Sequence, residues 1–293
     1  MLEVEGLTRT FGDLTAVDGV SFEVPPGAMV GFVGGNGAGK TTTMRMIMGI
    51  LTPTAGQSRW QGEELTRAMR SRFGYMPEER GLYPKQPVLD QLVYLGRLHG
   101  MTPAAAKARV RDLLERFGLG ERLSDKVETL SLGNQQRAQI IAAVLGDPVA
   151  LILDEPFSGL DPAAVDQMSA LLREYTSDDV PVLFSSHQLD LVDRLCDSIV
   201  VLARGKVVAS GTSTQLREGG PMRYRLTVDQ DAGWVRGMPN LRVLDVDAAT
   251  VLIEPDDEGA AQHLLAEAVS RGPVREFSRV VPSLSEIYRE VAS

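Results

Sequence analysis

A continuous apolar run, Ala28-Met29-Val30-Gly31-Phe32-Val33, passes directly into Gly34-Gly35-Asn36-Gly37-Ala38-Gly39-Lys40-Thr41, and a helical stretch reaching Leu51 follows. A short, wholly apolar run bounded by turn residues reads as a strand buried on both faces. Such strands belong to parallel sheets covered by helices on either side. Thr52-Pro53-Thr54-Ala55-Gly56 then stops the helix. The order strand, glycine loop, helix therefore commits the chain to an α/β architecture.

The remaining sequence fills in that architecture. Leu2, Val4 and Leu7, then Ala16, Val17 and Val20-Ser21-Phe22-Glu23-Val24, read as strands of an N-terminal antiparallel β subdomain that ends at the turn Pro25-Pro26-Gly27. From about residue 88 to residue 146, Ala, Leu and Arg recur at helical spacing, which reads as an inserted helical subdomain. From Val149 the alternation resumes with a strand, a helix over 163–175, a strand over 180–185, a helix over 189–195 and a strand over 198–203. Alternating strands and helices imply a mainly parallel sheet. The composition shifts at Arg217-Glu218-Gly219-Gly220-Pro221. We expect one domain over 1–217 and a small α+β accessory domain over 221–293, with strands near 223–228 and 250–254 and a helix over 259–270.

The glycine loop also carries chemistry. It has P-loop spacing, in the strand-before, helix-after context that gives that pattern meaning. Glycines let successive backbone N–H groups turn inward around a phosphate chain, and the helix start adds the positive end of its dipole. Gly34, Gly35, Asn36, Gly37, Ala38 and Gly39 are expected to cradle phosphates. Lys40 is expected to reach the β- and γ-phosphates, Thr41 to ligate Mg²⁺ and Thr42 to add a phosphate contact. A second apolar strand, Ala150-Leu151-Ile152-Leu153, ends in Asp154-Glu155. Acidic residues often follow buried strands, so the pair gains meaning only behind a P-loop. Asp154 then holds Mg²⁺ through its water shell, and Glu155 is placed to take a proton from an attacking water.

Composition narrows the setting. No apolar run approaches the roughly 20 residues of a spanning helix, and Met1-Leu2-Glu3-Val4-Glu5 has neither the basic start nor the apolar core of a signal peptide. A cytoplasmic location is expected. The one cysteine, Cys196, agrees with a reducing compartment and reads as a buried structural thiol. A net charge of −9 argues against nucleic acid or anionic lipid as partner.

Further strings, in a fixed order, make the chain resemble the ATP-binding-cassette (ABC) ATPases. Leu130-Ser131-Leu132-Gly133-Asn134-Gln135-Gln136 resembles the family's signature sequence, Ser158-Gly159-Leu160-Asp161 its D-loop, and Ser185-Ser186-His187 its switch histidine. Phe11, ahead of Ala16-Val17, matches the aromatic that stacks on adenine. The resemblance implies that two such domains pair head to tail, with each ATP between one P-loop and the other signature. Ser131, Gly133, Asn134 and Asp161 then serve a nucleotide held across the interface, and His187 contacts the γ-phosphate beside Glu155. Read from the residues, Ser131 is a helix N-cap before Gln135–Leu145 and Gly133 permits close backbone approach. Leu132 and Asn134 depart from the usual glycine and glutamine. Glu78, within Gly74–Tyr83, stands at the glutamine of the family's Q-loop, which implies a place beside nucleotide and Mg²⁺.

The strings LSLGNQQ and PEERGLYP, with the appended C-terminal domain, resemble a bacterial and archaeal exporter subfamily that includes drug- and sodium-extruding systems. That implies an ATP-hydrolysing subunit that forms a homodimer and serves a separately encoded transmembrane permease. Its membrane contact runs through that permease, on the cytoplasmic face. Two other classes fit less well. Soluble ABC proteins acting on ribosomes or DNA usually carry two cassettes or a long coiled coil, whereas this chain has one cassette and no sustained heptads. A GTPase or kinase leaves the signature and His187 unexplained, and the guanine-reading Asn-Lys-x-Asp is missing.

Overall fold

Residues 1–79, 81–219, 222–281 and 283–292 are described by the structure, a computed structural model, and they fall into two units, one made chiefly of Met1–Ser213 and the other of Thr214–Glu290. The boundary expected over 217–221 lies after this division at Ser213, and of that stretch Gly220 and Pro221 lie outside the described residues.

In the first unit, β1 (Leu2–Phe11) and β2 (Leu14–Val24) form an antiparallel hairpin. β3 (Met29–Gly34) is buried at all six positions, as a strand flanked and covered on both faces must be. α1 (Lys40–Ile47) follows, and it ends before the expected Leu51. Gly49 takes φ +69°, its N–H bonds to Met46 O at 3.0 Å, and Ile50 N–H reaches Arg45 O at 2.9 Å. That is a Schellman closure, so Gly49 stops the helix ahead of Thr52-Pro53. β4 (Ala55–Trp60) and the two-residue β5 (Glu63–Glu64) complete a sheet of order β2-β1-β4-β5.

After the short α2 (Arg67–Arg70), β6 (Phe73–Met76) leads into the segment that carries Glu78. The inserted helices are α3 (Val88–Leu98), α4 (Pro103–Arg116) and α5 (Leu132–Val144). Ser131 caps α5, its Oγ accepting from Asn134 N–H at 3.3 Å, so this helix starts three residues ahead of the expected Gln135. Then come β7 (Ala150–Leu153), α6 (Pro162–Ser177), β8 (Val182–Ser186), α7 (Leu189–Leu195), β9 (Ser198–Ala203) and β10 (Lys206–Gly211). The second sheet runs β10-β9-β3-β8-β7-β6, parallel throughout except for β10 at its edge.

This strand order positions the site. Val33 pairs with Ser186, and Leu153 with Phe184. The C-terminal ends of β3, β7 and β8 therefore lie side by side, and the glycine loop, Asp154-Glu155 and His187 all emerge at one edge of the sheet. In open α/β sheets ligands bind at that edge. Packed beneath it is a core that includes Phe32, Met44, Ile47, Ile152, Leu183 and Val200. Burial pushes the Cys196 thiol well above the usual thiol range, as suits a structural group. Among the described residues, no helix is long and apolar enough to cross a membrane.

From α8 (Ser213–Glu218) the chain enters the second unit. Its elements are β11 (Arg223–Val228), β12 (Leu241–Asp247), β13 (Thr250–Pro255), α9 (Glu258–Arg271), β14 (Val274–Val280) and α10 (Leu284–Ala292). The sheet is antiparallel in the order β12-β13-β11-β14, with Leu226, Val251, Ile253 and Leu264 in its core.

Candidate active site

Gly39 shows why the loop after β3 needs glycine. Its φ is +104°, and a Cβ there would stand 2.9 Å from Ala16 O. The turn lets α1 begin at Lys40, so the helix's first N–H groups face the cleft above it. Lys40 is 8% exposed, and its Nζ donates to Gly34 O at 2.7 Å and lies 4.0 Å from Glu155 Oε1. A cleft of about 630 Å³ opens there, lined by residues 35–42, Glu78, Glu155 and His187 among others.

The two carboxylates after β7 are tied through one hydroxyl. Ser185 Oγ donates to Asp154 Oδ1 at 2.6 Å and accepts the Glu155 N–H at 2.8 Å. Asp154 is fully buried and its Oδ2 has no hydrogen-bond partner. Burial pushes the Asp154 carboxyl above its ordinary range, the Ser185 hydroxyl and the nearby Thr41 hydroxyl oppose this, and the Glu78 charge adds to it while the Lys40 charge works against it. Glu155 has a backbone φ of +53°, and its Oε2 accepts from His187 Nδ1 at 3.0 Å. Across the cleft, Thr41 Oγ1 donates to Glu78 Oε2 at 3.0 Å.

The donor set suits a hard cation. A buried carboxylate oxygen without a partner, a threonine hydroxyl and a second carboxylate are the all-oxygen ligands that Mg²⁺ takes alongside water and substrate phosphates. Three carboxylates against one ammonium also leave the pocket short of positive charge. The residues present therefore fit Mg²⁺.

Other sequence-derived candidates are not among the residues that line this cleft. Phe11 is 45% exposed at the end of β1, and the Arg9 guanidinium lies over one face of its ring at 4.6 Å. Ser131, Gly133 and Asn134 form the start of α5. Asp161 caps α6, with Oδ1 accepting from Ala164 N–H at 2.8 Å. Asp161→Ala is expected to lower stability by about 1 kcal/mol through loss of that cap, whereas Asp161→Asn keeps it. Denaturant unfolding of the two variants checks this, and equal stabilities would remove the capping role. The structure also adds residues. Leu14, Ala16, Leu132, Gln136, Gln139 and Ser158 line the cleft, and Ser185 links its acids. Leu132, Gln136 and Gln139 share one face of α5 at helical spacing, a signal readable in the sequence once that face is known to point inward.

Parallel strands that bring a phosphate loop, a buried acid and a histidine to one edge define a P-loop nucleoside triphosphatase. Comparison with known proteins refines the class. The family described as "ABC transporter" matches residues 17–158, and "ATP-binding protein DrrA1-3-like, C-terminal domain" matches residues 211–292. An uncharacterized ABC transporter ATP-binding protein, YhaQ of Bacillus subtilis (strain 168), is 40% identical over 99% of this chain and 98% of its own length. The daunorubicin/doxorubicin resistance ATP-binding protein DrrA of Streptomyces peucetius is 32% identical over 98% of this chain and 91% of its own. A solved ATP-binding subunit of an ABC transporter superposes with a TM-score of 0.69 at 34% identity, covering 75% of this chain and 92% of that one. The chain belongs to the ABC transporter ATP-binding proteins, in a branch with a DrrA-like C-terminal domain, and it is an ABC ATPase.

Proposed function

We propose that this chain is the motor subunit of an exporter: it binds and hydrolyses MgATP, pairs with a second copy of itself, and drives a separately encoded transmembrane permease from the cytoplasmic face. The observation that carries this reading is the meeting of Lys40, Thr41, Glu78 and Glu155 with His187 in one cleft while Ser131 remains exposed at a helix start elsewhere. A cleft that gathers the phosphate-side groups while Ser131, Gly133 and Asn134 are outside its lining reads as half of a two-chain site. Because one chain carries both halves, a symmetric pair closes two sites.

In this reading the backbone N–H groups of residues 35–40 and the Lys40 ammonium hold the phosphates. Thr41, Asp154 and Glu78 would hold Mg²⁺, which would supply positive charge to neutralise the phosphates. Glu155 takes the proton of the attacking water, and His187, bonded to its Oε2, fixes that carboxylate and contacts the γ-phosphate. Phe11 stacks adenine on the face that Arg9 leaves open. Gly34 lets the loop leave β3, and Thr42 adds a phosphate contact. From the partner chain, Ser131, Gly133 and Asn134 present a helix start to the γ-phosphate, with Asp161 close by. The accessory domain, 221–293, contacts a partner or steadies the pair. Export rests on the drug-resistance relative and the shared C-terminal domain. No role for nucleic acid is assigned, in keeping with the net charge of −9.

The pairing half is tested with Ser131→Arg. The bulk of an arginine at this helix start obstructs closure of the two chains, its charge opposes the positive end of the helix dipole, and overpacking costs about 1–3 kcal/mol. ATP-dependent pairing, followed by light scattering, is expected to weaken by about 10-fold while nucleotide binding to the single chain persists. Pairing and turnover at the wild-type level would remove the two-chain site.

A further inference from the structure

The first two turns of α5 hold both ends of the loop that carries Glu155. At one end, Gln136 Nε2 donates to Glu155 O at 2.8 Å, and Ser158 N–H bonds to the same carbonyl at 3.2 Å. At the other end, Leu132 lies against Gly159, where a Cβ would stand 2.5 Å from Leu132 Cδ2. The contact is reciprocal: Leu160 Cδ2 stands 3.4 Å from where Gly133 would carry a Cβ. Two leucines thus lie on two glycines across the gap between helix and loop. Leu132 and Gln136 are one helical turn apart, so a single face of α5 makes both contacts.

The loop needs holding. Glu155 sits at φ +53° and Gly159 at φ +73°, so the segment makes two left-handed turns within five residues. A non-glycine residue keeps such a conformation only where its surroundings enforce it. Leu132, moreover, is 49% exposed, an apolar side chain with much of its surface in solvent. Contact with Gly159 gives that side chain a purpose that exposure alone does not.

We propose that Leu132 and Gln136 are positioning residues for Glu155. They clamp residues 155–159 at both ends, so that the carboxylate keeps its place between Lys40 and His187. The inference rests on the reading of Glu155 as proton acceptor. It also assigns the leucine at the third signature position a contact within its own chain.

The test compares Leu132→Ala, Gln136→Ala, Leu132→Met and Glu155→Gln in the purified full chain. It measures kcat and KM for MgATP, nucleotide affinity and thermal midpoint. A small displacement of a catalytic group costs rate more than binding. Each alanine variant is expected to lose about 10-fold in kcat, with KM and nucleotide affinity within about 2-fold of wild type. Leu132→Met fills the same space and is expected to restore kcat to within about 2-fold. The double alanine variant is expected to lose less than the product of the single losses, because both side chains act on one segment. Gln136→Ala is decisive, since Gln136 is buried and Leu132 is not. Unchanged kcat in Gln136→Ala, or affinity falling in step with kcat, overturns the clamp. Turnover that survives in Glu155→Gln overturns the assignment of Glu155 itself. Turnover lost there but intact in both alanine variants overturns the clamp alone.

Discussion

Glu155→Gln is expected to slow MgATP turnover by about 10²- to 10⁴-fold, the usual contribution of a positioned base, while an ATP-bound pair of chains accumulates. The amide keeps the shape of the carboxylate and can still accept from His187 Nδ1. What it loses is basicity. The substitution also removes one of three negative charges from a cleft that must admit a polyphosphate, so nucleotide binding is expected to hold or tighten. Turnover assays alongside light scattering in ATP measure both halves of the expectation. A variant that hydrolyses at the wild-type rate would move the base elsewhere, and Glu78, bonded to the Thr41 hydroxyl, is the next carboxylate in the cleft.

Much of this cleft was legible because its parts are local in sequence. The run from Ala28 to Thr41 encodes strand, loop and helix start in consecutive residues, and the apolar run ending in Asp154-Glu155 does the same for the acids. What pairs across the chain left no such trace. Ser185 meets Asp154 from 31 positions away, and Gln136 meets Glu155 from 19. Neither residue type signals the contact, since a serine or glutamine hydrogen-bonds wherever the fold places it. The same contrast runs through the strands. β3 is buried on both faces and declares itself by composition, whereas β12 and β14 bury few residues and carry Arg242, Asp245, Arg275 and Glu276, so their alternation is too shallow to read. The end of α1 differs for another reason: the stop expected at Thr52–Gly56 is preceded by Gly49, which closes the helix first. A glycine that closes a Schellman motif acts through the carbonyls of the preceding turn, and that geometry precedes any proline downstream.

Lys40→Ala tests the phosphate assignment most directly. Lys40 is almost wholly buried, and its ammonium lies near Glu155 at a loop whose carbonyls of Gly34 and Gly35 both accept from it. Removing it leaves Glu78, Asp154 and Glu155 facing the phosphates without that cation. Truncating one member of a buried charge pair costs about 2–5 kcal/mol, which corresponds to roughly 30- to several-thousand-fold in affinity. ATP affinity is therefore expected to fall by that factor, and turnover with it. Lys40→Arg is expected to be only a partial remedy: it restores the charge, but its planar fork cannot occupy the place of a compact ammonium. Thermal unfolding separates lost binding from lost fold. Ligand at 100 times its Kd stabilises a protein by about 2.7 kcal/mol, so wild type gains a clear ATP-dependent shift. Whatever its midpoint without nucleotide, Lys40→Ala is expected to gain little from ATP at that concentration. If the variant kept the full shift, the phosphates would have to bind away from residues 34–41, and the roles of Thr41 and Glu155 would move with them.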